Sequence, residues 1–286
     1  MSIDNLIFSI LLALCLSPGY AQESVVDSLE NLITEVKVDT TTVNLLNKLA
    51  LLSFDFSIPR SKTYATKALN LAREIGYPGG EALAAYRLSS ILNAQGKLDS
   101  ALSFIQQSQR QALELADSAL FAKGLIEEGA LQGKFDNDSL AIKHFFEALA
   151  IGKALKNDEI CANSYSGLAI INTGLGYYNV AIDFLNQSLA AGEAANSAKL
   201  IAKACVNLAI LHDSLTERKF YAEKALQVSS GRDNMNRERT YAYNTLGILH
   251  YYNLDQVDSA LYFKKKGLKM AKASKDPALI QMISAS

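Results

Sequence analysis

Few side chains in this sequence have the types and spacing that catalysis or metal binding requires. The histidines are His144, His212 and His250, and the last two each lie three residues after a small residue of a predicted helix, where a packing role is expected. The sequence contains no His-Glu-x-x-His run, no cysteine pair at zinc spacing and no glycine-rich phosphate loop. Carboxylates are scattered over predicted solvent faces, which does not favour acid–base catalysis. We therefore predict no catalytic residue, no metal ligand and no cofactor.

The remaining reactive groups are thiols and lysines. Cys161 and Cys205 fall in apolar helical stretches, so we expect buried, unpaired thiols. Six lysines lie between residues 264 and 275, and this segment contains no Asp or Glu. This run is interpreted as a solvated helix face; the alternative is a docking strip for an acidic partner or a membrane surface. With 28 basic and 29 acidic residues, the overall charge does not favour nucleic acid as a partner.

The elements that must position these side chains are indicated by small residues at a nearly constant interval. Successive members of the first ladder are separated by about 40 residues, an interval typical of helical-repeat arrays. A second ladder has nearly the same period, and two independent ladders predict an internal repeat. The first ladder is Ala50, Ser89, Gly129, Ala169, Ala209 and Gly247; the second is Ala68, Ser108, Ala148, Ser188, Ala225 and Gly267.

Between the ladders lie signals for a helix end and a new helix start. Asp99, Asn179 and Asp258 each follow a turn and can accept hydrogen bonds from the first free N–H groups of a helix. Each unit is therefore predicted to be two helices joined by a tight turn. Small residues would allow the two helix backbones to approach closely at their crossing.

The repeated residues resemble the tetratricopeptide repeat (TPR), whose pattern begins aromatic, x, x, Leu, small. The second, fourth and sixth repeats match best, with the runs Ala85–Ser89, Tyr165–Ala169 and Tyr243–Gly247. The period of about 40 departs from the usual 34 and is similar to that of kinesin light chains, bacterial peptide-sensing regulators and the exported N-terminal regions of sensor histidine kinases. The resemblance implies an all-α fold, a right-handed α-solenoid of about six TPR-like hairpins.

Two units depart from the regular spacing. In the third, the segment 133–138 is predicted to be stretched, and Gly129 and Ile126 compete for the small position. In the fifth, the segment 213–218 is predicted to make an abbreviated turn. The predicted organisation is a signal peptide at 1–21, a lead-in helix at 22–42, repeats at 43–80, 81–117, 118–158, 159–198, 199–235 and 236–276, and the start of a further, truncated helix at 277–286.

The N-terminal segment 1–21 predicts export. An apolar run from Leu6 to Leu16 precedes Gly19 and Ala21, the small residues of a signal-peptidase site before Gln22. The preceding segment lacks Lys and Arg, so an uncleaved buried helix remains the alternative. The predicted location is periplasmic or otherwise extracytoplasmic.

The resemblance also implies where a ligand would bind. In the family, ligands lie along the inner surface, lined by the first helix of each hairpin. A two-carboxylate clamp is absent, because the paired places that hold Lys and Asn in chaperone-tail binders do not hold that pair here. The groove is expected to suit an extended peptide or a protein helix. The residues carried over as partner contacts are Asn47, Tyr86, Asn93, Asn163, Ser166, Tyr241, Asn244 and Tyr251.

The resulting hypothesis is a non-catalytic, exported protein- or peptide-binding module. It would be the sensing region of a larger signalling protein of the sensor histidine kinase type, with any kinase activity and any membrane attachment outside this chain. The alternative is a free-standing structural scaffold of an envelope protein complex.

Overall fold

The computed structural model describes residues 26–27, 29–30, 39–231, 235–252, 256–274 and 277–285. The predicted signal peptide lies outside these residues, and so does most of the predicted lead-in helix at 22–42. Of that segment, 26–27 and 29–30 are helical and 40–42 begin the first repeat helix. None of the described helices is both long and apolar enough to cross a membrane. Among the described residues from 40 onward there are thirteen helices: α1 Thr40–Ser53, α2 Ile58–Glu74, α3 Pro78–Ala94, α4 Leu98–Glu114, α5 Ser118–Lys134, α6 Asp138–Ala154, α7 Asp158–Gly174, α8 Tyr178–Ala194, α9 Ala198–Leu211, α10 Leu215–Ser229, α11 Asn236–Tyr252, α12 Val257–Ser274 and α13 Pro277–Ala285.

Consecutive helices pair as antiparallel hairpins and stack in chain order. The odd-numbered helices α1 to α11, here called A helices, also contact the A helix of the next hairpin. The even-numbered B helices lie on the outer side of this row. The all-helical solenoid of hairpins predicted from the repeat is confirmed.

Helix length explains the long period of the repeat. From α3 to α8 every helix has 17 residues, and each is joined to the next by a connection of the same short length. Two such helices and two such connections make one unit. The connections share one conformation: a residue in the left-handed region follows each helix, and the next N–H donates back to the last turn at 2.8 to 3.0 Å. These left-handed residues are Gly76, Gly96, Ala116, Asp136, Lys156, Gly176 and Asn196.

The structure corrects the predicted irregularities. The third hairpin is regular, because α5 has 17 residues like its neighbours and the segment 135–137 connects it to α6 in the same way as the other connections. Gly129 is the small residue, and a Cβ on it would lie 3.1 Å from the Phe145 ring. In the fifth hairpin the connection keeps its usual length, and the shortening lies in α9, which has only 14 residues.

The predicted caps were also wrong. Asp99 and Asn179 lie inside the first turn of α4 and α8, whose preceding residues make no side-chain cap. Side chains that cap helices precede α1, α2, α5, α7, α9 and α10 instead. Asp117 accepts from Leu120 N at 2.9 Å, and Asn157 accepts from Ile160 N at 3.1 Å.

Small residues at the crossings bring the helices close enough for side chains to bond to backbone. Ser89 Oγ on α3 donates to the Ala101 carbonyl of α4 at 2.8 Å, and both residues are fully buried. Ser188 on α8 donates in the same way to the Ala162 carbonyl of α7 at 2.8 Å. Each such bond satisfies a buried hydroxyl and fixes the register of the two helices.

Candidate functional site

The uncovered face of the A helices forms an inner wall. Each A helix packs against the B helix of its own hairpin, the B helix of the preceding hairpin and the adjacent A helices. One stripe of its surface therefore stays accessible. On α7 this stripe includes Glu159, Asn163 and Ile170, at a spacing that places them on one face of a helix. On α9 the exposed residues at the corresponding places are Lys199, Lys203 and Ile210. Together these stripes line an inner groove.

A polar network ties α3 to α5 on this wall. Glu127 accepts hydrogen bonds from Ser90 Oγ at 3.1 Å and from Asn93 Nδ2 at 2.7 Å. Lys134 Nζ lies against Asn93 and bonds to its side-chain oxygen. Asn93, carried over as a partner contact, is therefore half-buried and already held by two neighbours.

Tyr86 lies beside Arg87 on the same stretch of α3. The guanidinium carbon of Arg87 is 5.4 Å from the centroid of the Tyr86 ring. Burial, followed by the charge of Glu127, raises the pKa of the Tyr86 hydroxyl to about 12. Burial also lowers the pKa of Arg87, whose Nε is buried without a hydrogen-bond partner among the described residues.

An ion pair joins the first and fifth hairpins across the groove. Lys199 Nζ on α9 lies 2.8 Å from both carboxylate oxygens of Asp55, which follows α1 and is 144 residues distant in sequence. Glu238 lies nearby, in the first turn of α11. Burial raises the pKa of its carboxyl group, while the charge of Lys199 lowers this pKa and that of Asp55 raises it. The solenoid therefore curves far enough for its first A helix to approach its fifth.

The carried-over residues divide into accessible and buried ones. Tyr251 is 52% exposed, while Asn163, Asn244 and Tyr241 are half-buried. Tyr241 also packs against the apolar clusters of the fifth hairpin and of α13, so its ring supports the fold.

Two carried-over residues are not accessible, and their placement on the groove surface was wrong. Asn47 is 1% exposed because its Nδ2 donates to the Gly80 carbonyl at 3.1 Å, between α1 and α3. Ser166 is 2% exposed, and its hydroxyl is buried on α7. Neither side chain can contact a partner without displacing a neighbouring helix.

Sequence reasoning missed the charged residues of the wall. Glu127 was overlooked because the register of the third hairpin was left open, although Gly129 would have fixed it. Asp55, Lys199 and Glu238 stand outside the family's usual contact places, and their approach depends on the curvature of the whole array. No sequence signal identifies that approach.

His212 and His250 each pack against an aromatic ring. The His250 ring is tilted against Phe263 with ring centroids 5.0 Å apart and bonds to Gln256 at 2.9 Å, and the His212 ring stacks on Tyr221 with centroids 5.7 Å apart. Cys161 and Cys205 are free and buried, as expected. Within the described ranges, no three His, Cys, Asp or Glu side chains lie together as metal ligands would.

No protein family and no curated protein matches the sequence. The fold is similar to solved helical-repeat structures of the TPR type. The apo form of RapI has a TM-score of 0.63 at 15% identity, covering 88% of this chain and 91% of RapI. A Rap protein complexed with competence and sporulation factor has a TM-score of 0.64 at 14% identity, covering 91% of this chain and 74% of the Rap protein. NprR in complex with its cognate peptide NprX has a TM-score of 0.60 at 17% identity, covering 92% of this chain and 76% of NprR. At these identities, the likeness shows the fold.

Proposed function

We propose that the chain is a non-catalytic module that binds an extended peptide or protein segment in its inner groove. The observation that carries this proposal is the mixed character of the accessible wall. Apolar side chains stand out from it at equivalent places on three A helices, with charged and amide groups between them. Leu51 is 46% exposed, Ile170 54% and Ile210 49%.

This arrangement suits the alternating needs of an extended chain. Its side chains can cover the exposed leucine and isoleucines, while its backbone amides find polar partners on the wall. NprR, which shares the fold, has been solved with its cognate peptide, and this supports a peptide as the ligand class here.

Peptide capture with matched variants tests the proposal. Immobilised protein is exposed to a random peptide library, and the recovered peptides are then titrated against variants. Changing Ile170 and Ile210 together to Ser should weaken capture by about 2 kcal/mol, because exposed apolar anchors in a groove carry much of the binding energy. Leu261→Ser is the control, since Leu261 is 49% exposed on the outer helix α12.

Equal capture by the groove variant and the wild-type protein would show that binding lies elsewhere. Charge reversal of Lys266 and Lys269 on α12 examines the outer face directly. Loss of capture in that variant alone would assign binding to the outer lysine strip.

We also propose that the protein is exported and serves as the sensing region of a larger signalling protein of the sensor histidine kinase type. The apolar run before Gly19 and Ala21 supports export, and the long repeat period supports the signalling context. N-terminal sequencing of mature material should begin at Gln22. Intact Met1 in cytosolic material would contradict export, and an envelope scaffold remains the alternative if no output domain is attached.

A further inference from the structure

Two lysines one helical turn apart present ammonium groups to the inner groove. Lys199 and Lys203 lie on the accessible stripe of α9, and both side chains are exposed. Lys199 is bound to the Asp55 carboxylate. Lys203 makes no ion pair with any of the described residues.

The surroundings of Lys203 leave its charge incompletely compensated. Enclosure by the groove walls lowers the pKa of its ammonium group, and the charges of Glu238 and Glu127 act in the opposite direction. Glu127 is already engaged by Ser90 and Asn93. Glu238 forms no ion pair with Lys203 among the described residues, and its Oε2 is buried there without a hydrogen-bond partner. A carboxylate supplied by a ligand beside Lys203 would therefore be favourable.

The Asp55 carboxylate is easily replaced at Lys199. It belongs to the connection after α1, and the side chains of Lys199 and Asp55 are 48% and 26% exposed. Ion pairs with such exposure add little net stability. If a carboxylate of a ligand took the place of Asp55, Lys199 would still be paired with one carboxylate.

We propose that Lys199 and Lys203 form a carboxylate-binding site in the inner groove, occupied by Asp55 in the free protein and by an acidic residue of the bound peptide in the complex. The proposal rests on the peptide-binding function proposed above and specifies its ligand as an acidic peptide. Asp55 is then an internal competitor that the peptide must displace.

Selection from a random phage-displayed peptide library tests this site on the full chain. Peptides recovered on the wild-type protein should be enriched in Asp and Glu over the input library. Lys203→Met should abolish that enrichment. Asp55→Asn should keep it and bind the same peptides up to about fivefold more tightly, because the bound competitor no longer reduces the competent fraction.

A matched lysine change controls for altered net charge. Lys219 lies on α10, is 48% exposed and pairs with Glu223 of its own helix, at 3.9 Å. Lys219→Met should leave the acidic enrichment intact. Circular dichroism verifies the fold of each variant, and Lys203→Gln replaces Lys203→Met if the latter does not fold.

The outcomes separate this proposal from the general one. Peptides recovered without acidic enrichment, or equal enrichment on the Lys203 variant, would overturn the carboxylate site while leaving peptide binding in place. Unchanged affinity of Asp55→Asn would overturn the role of Asp55 as a competitor. Failure to recover any peptide on any variant would overturn both proposals.

Discussion

The neighbours and the exposure of side chains on the inner wall depend on the packing of adjacent helices, which the repeat register does not give. Tyr86 was assigned to the wall by the repeat register, but only the structure shows Arg87 against its ring and Glu127 nearby. Asn47 had the same assignment and is buried, because Gly80 on the next A helix approaches it closely enough to accept a hydrogen bond. Register predicts the direction of a side chain, whereas its exposure depends on the adjacent helix.

The buried thiol of Cys205 gives the first prediction. Burial raises its pKa to about 11, so almost none of it is thiolate near neutral pH, and thiolate is the reactive form. Iodoacetamide should therefore leave Cys205 unmodified in the native protein and alkylate it after unfolding in guanidinium, as measured by peptide mass spectrometry. An added cysteine at exposed Ala190 should react at once. Rapid native alkylation of Cys205 would show that the fifth hairpin opens readily.

At the scale of the helices, the period was predictable and the connections were not. The two ladders predicted hairpins because small residues occupy every crossing. The left-handed residue after each helix recurs at a constant interval from Gly76 to Asn196, yet only three of the seven positions hold glycine. Asp136 and Lys156 adopt the same conformation as Gly176, so composition conceals the repeat of the turn. For this reason the third hairpin looked irregular in sequence.

Helix crossings give the second prediction. Ala209 on α9 is fully buried between Ala222 and Leu246, so Ala209→Leu should overpack this crossing and lower the free energy of unfolding by about 1–3 kcal/mol. Ala190→Leu on the exposed face of α8 is the control and should be nearly neutral. Chemical denaturation followed by circular dichroism measures both. Equal stability of the two variants would contradict the assignment of Ala209 to a crossing.

At the scale of the whole molecule, the approach of the first and fifth hairpins is a property of accumulated curvature. Each hairpin contacts mainly its neighbours, so a small rotation per unit determines where Asp55 meets Lys199. The sequence repeats inform only on neighbouring contacts, and therefore the groove could be predicted while its closing ion pair could not. For the same reason, a change of charge at this one place should alter the overall shape more than the stability.

The third prediction tests that relation between local charge and overall shape. Asp55→Lys places two ammonium groups together at the closing contact, and their repulsion should open the solenoid and increase the radius of gyration measured by small-angle X-ray scattering. The melting temperature should fall by at most about 4 °C, because an accessible ion pair contributes about 1 kcal/mol or less. Glu193→Lys is the matched control, since Glu193 pairs with Lys224 of the adjacent hairpin at 2.8 Å. Its radius should stay at the wild-type value. Indistinguishable scattering from the two variants would mean that the Asp55–Lys199 contact does not determine the closure of the groove.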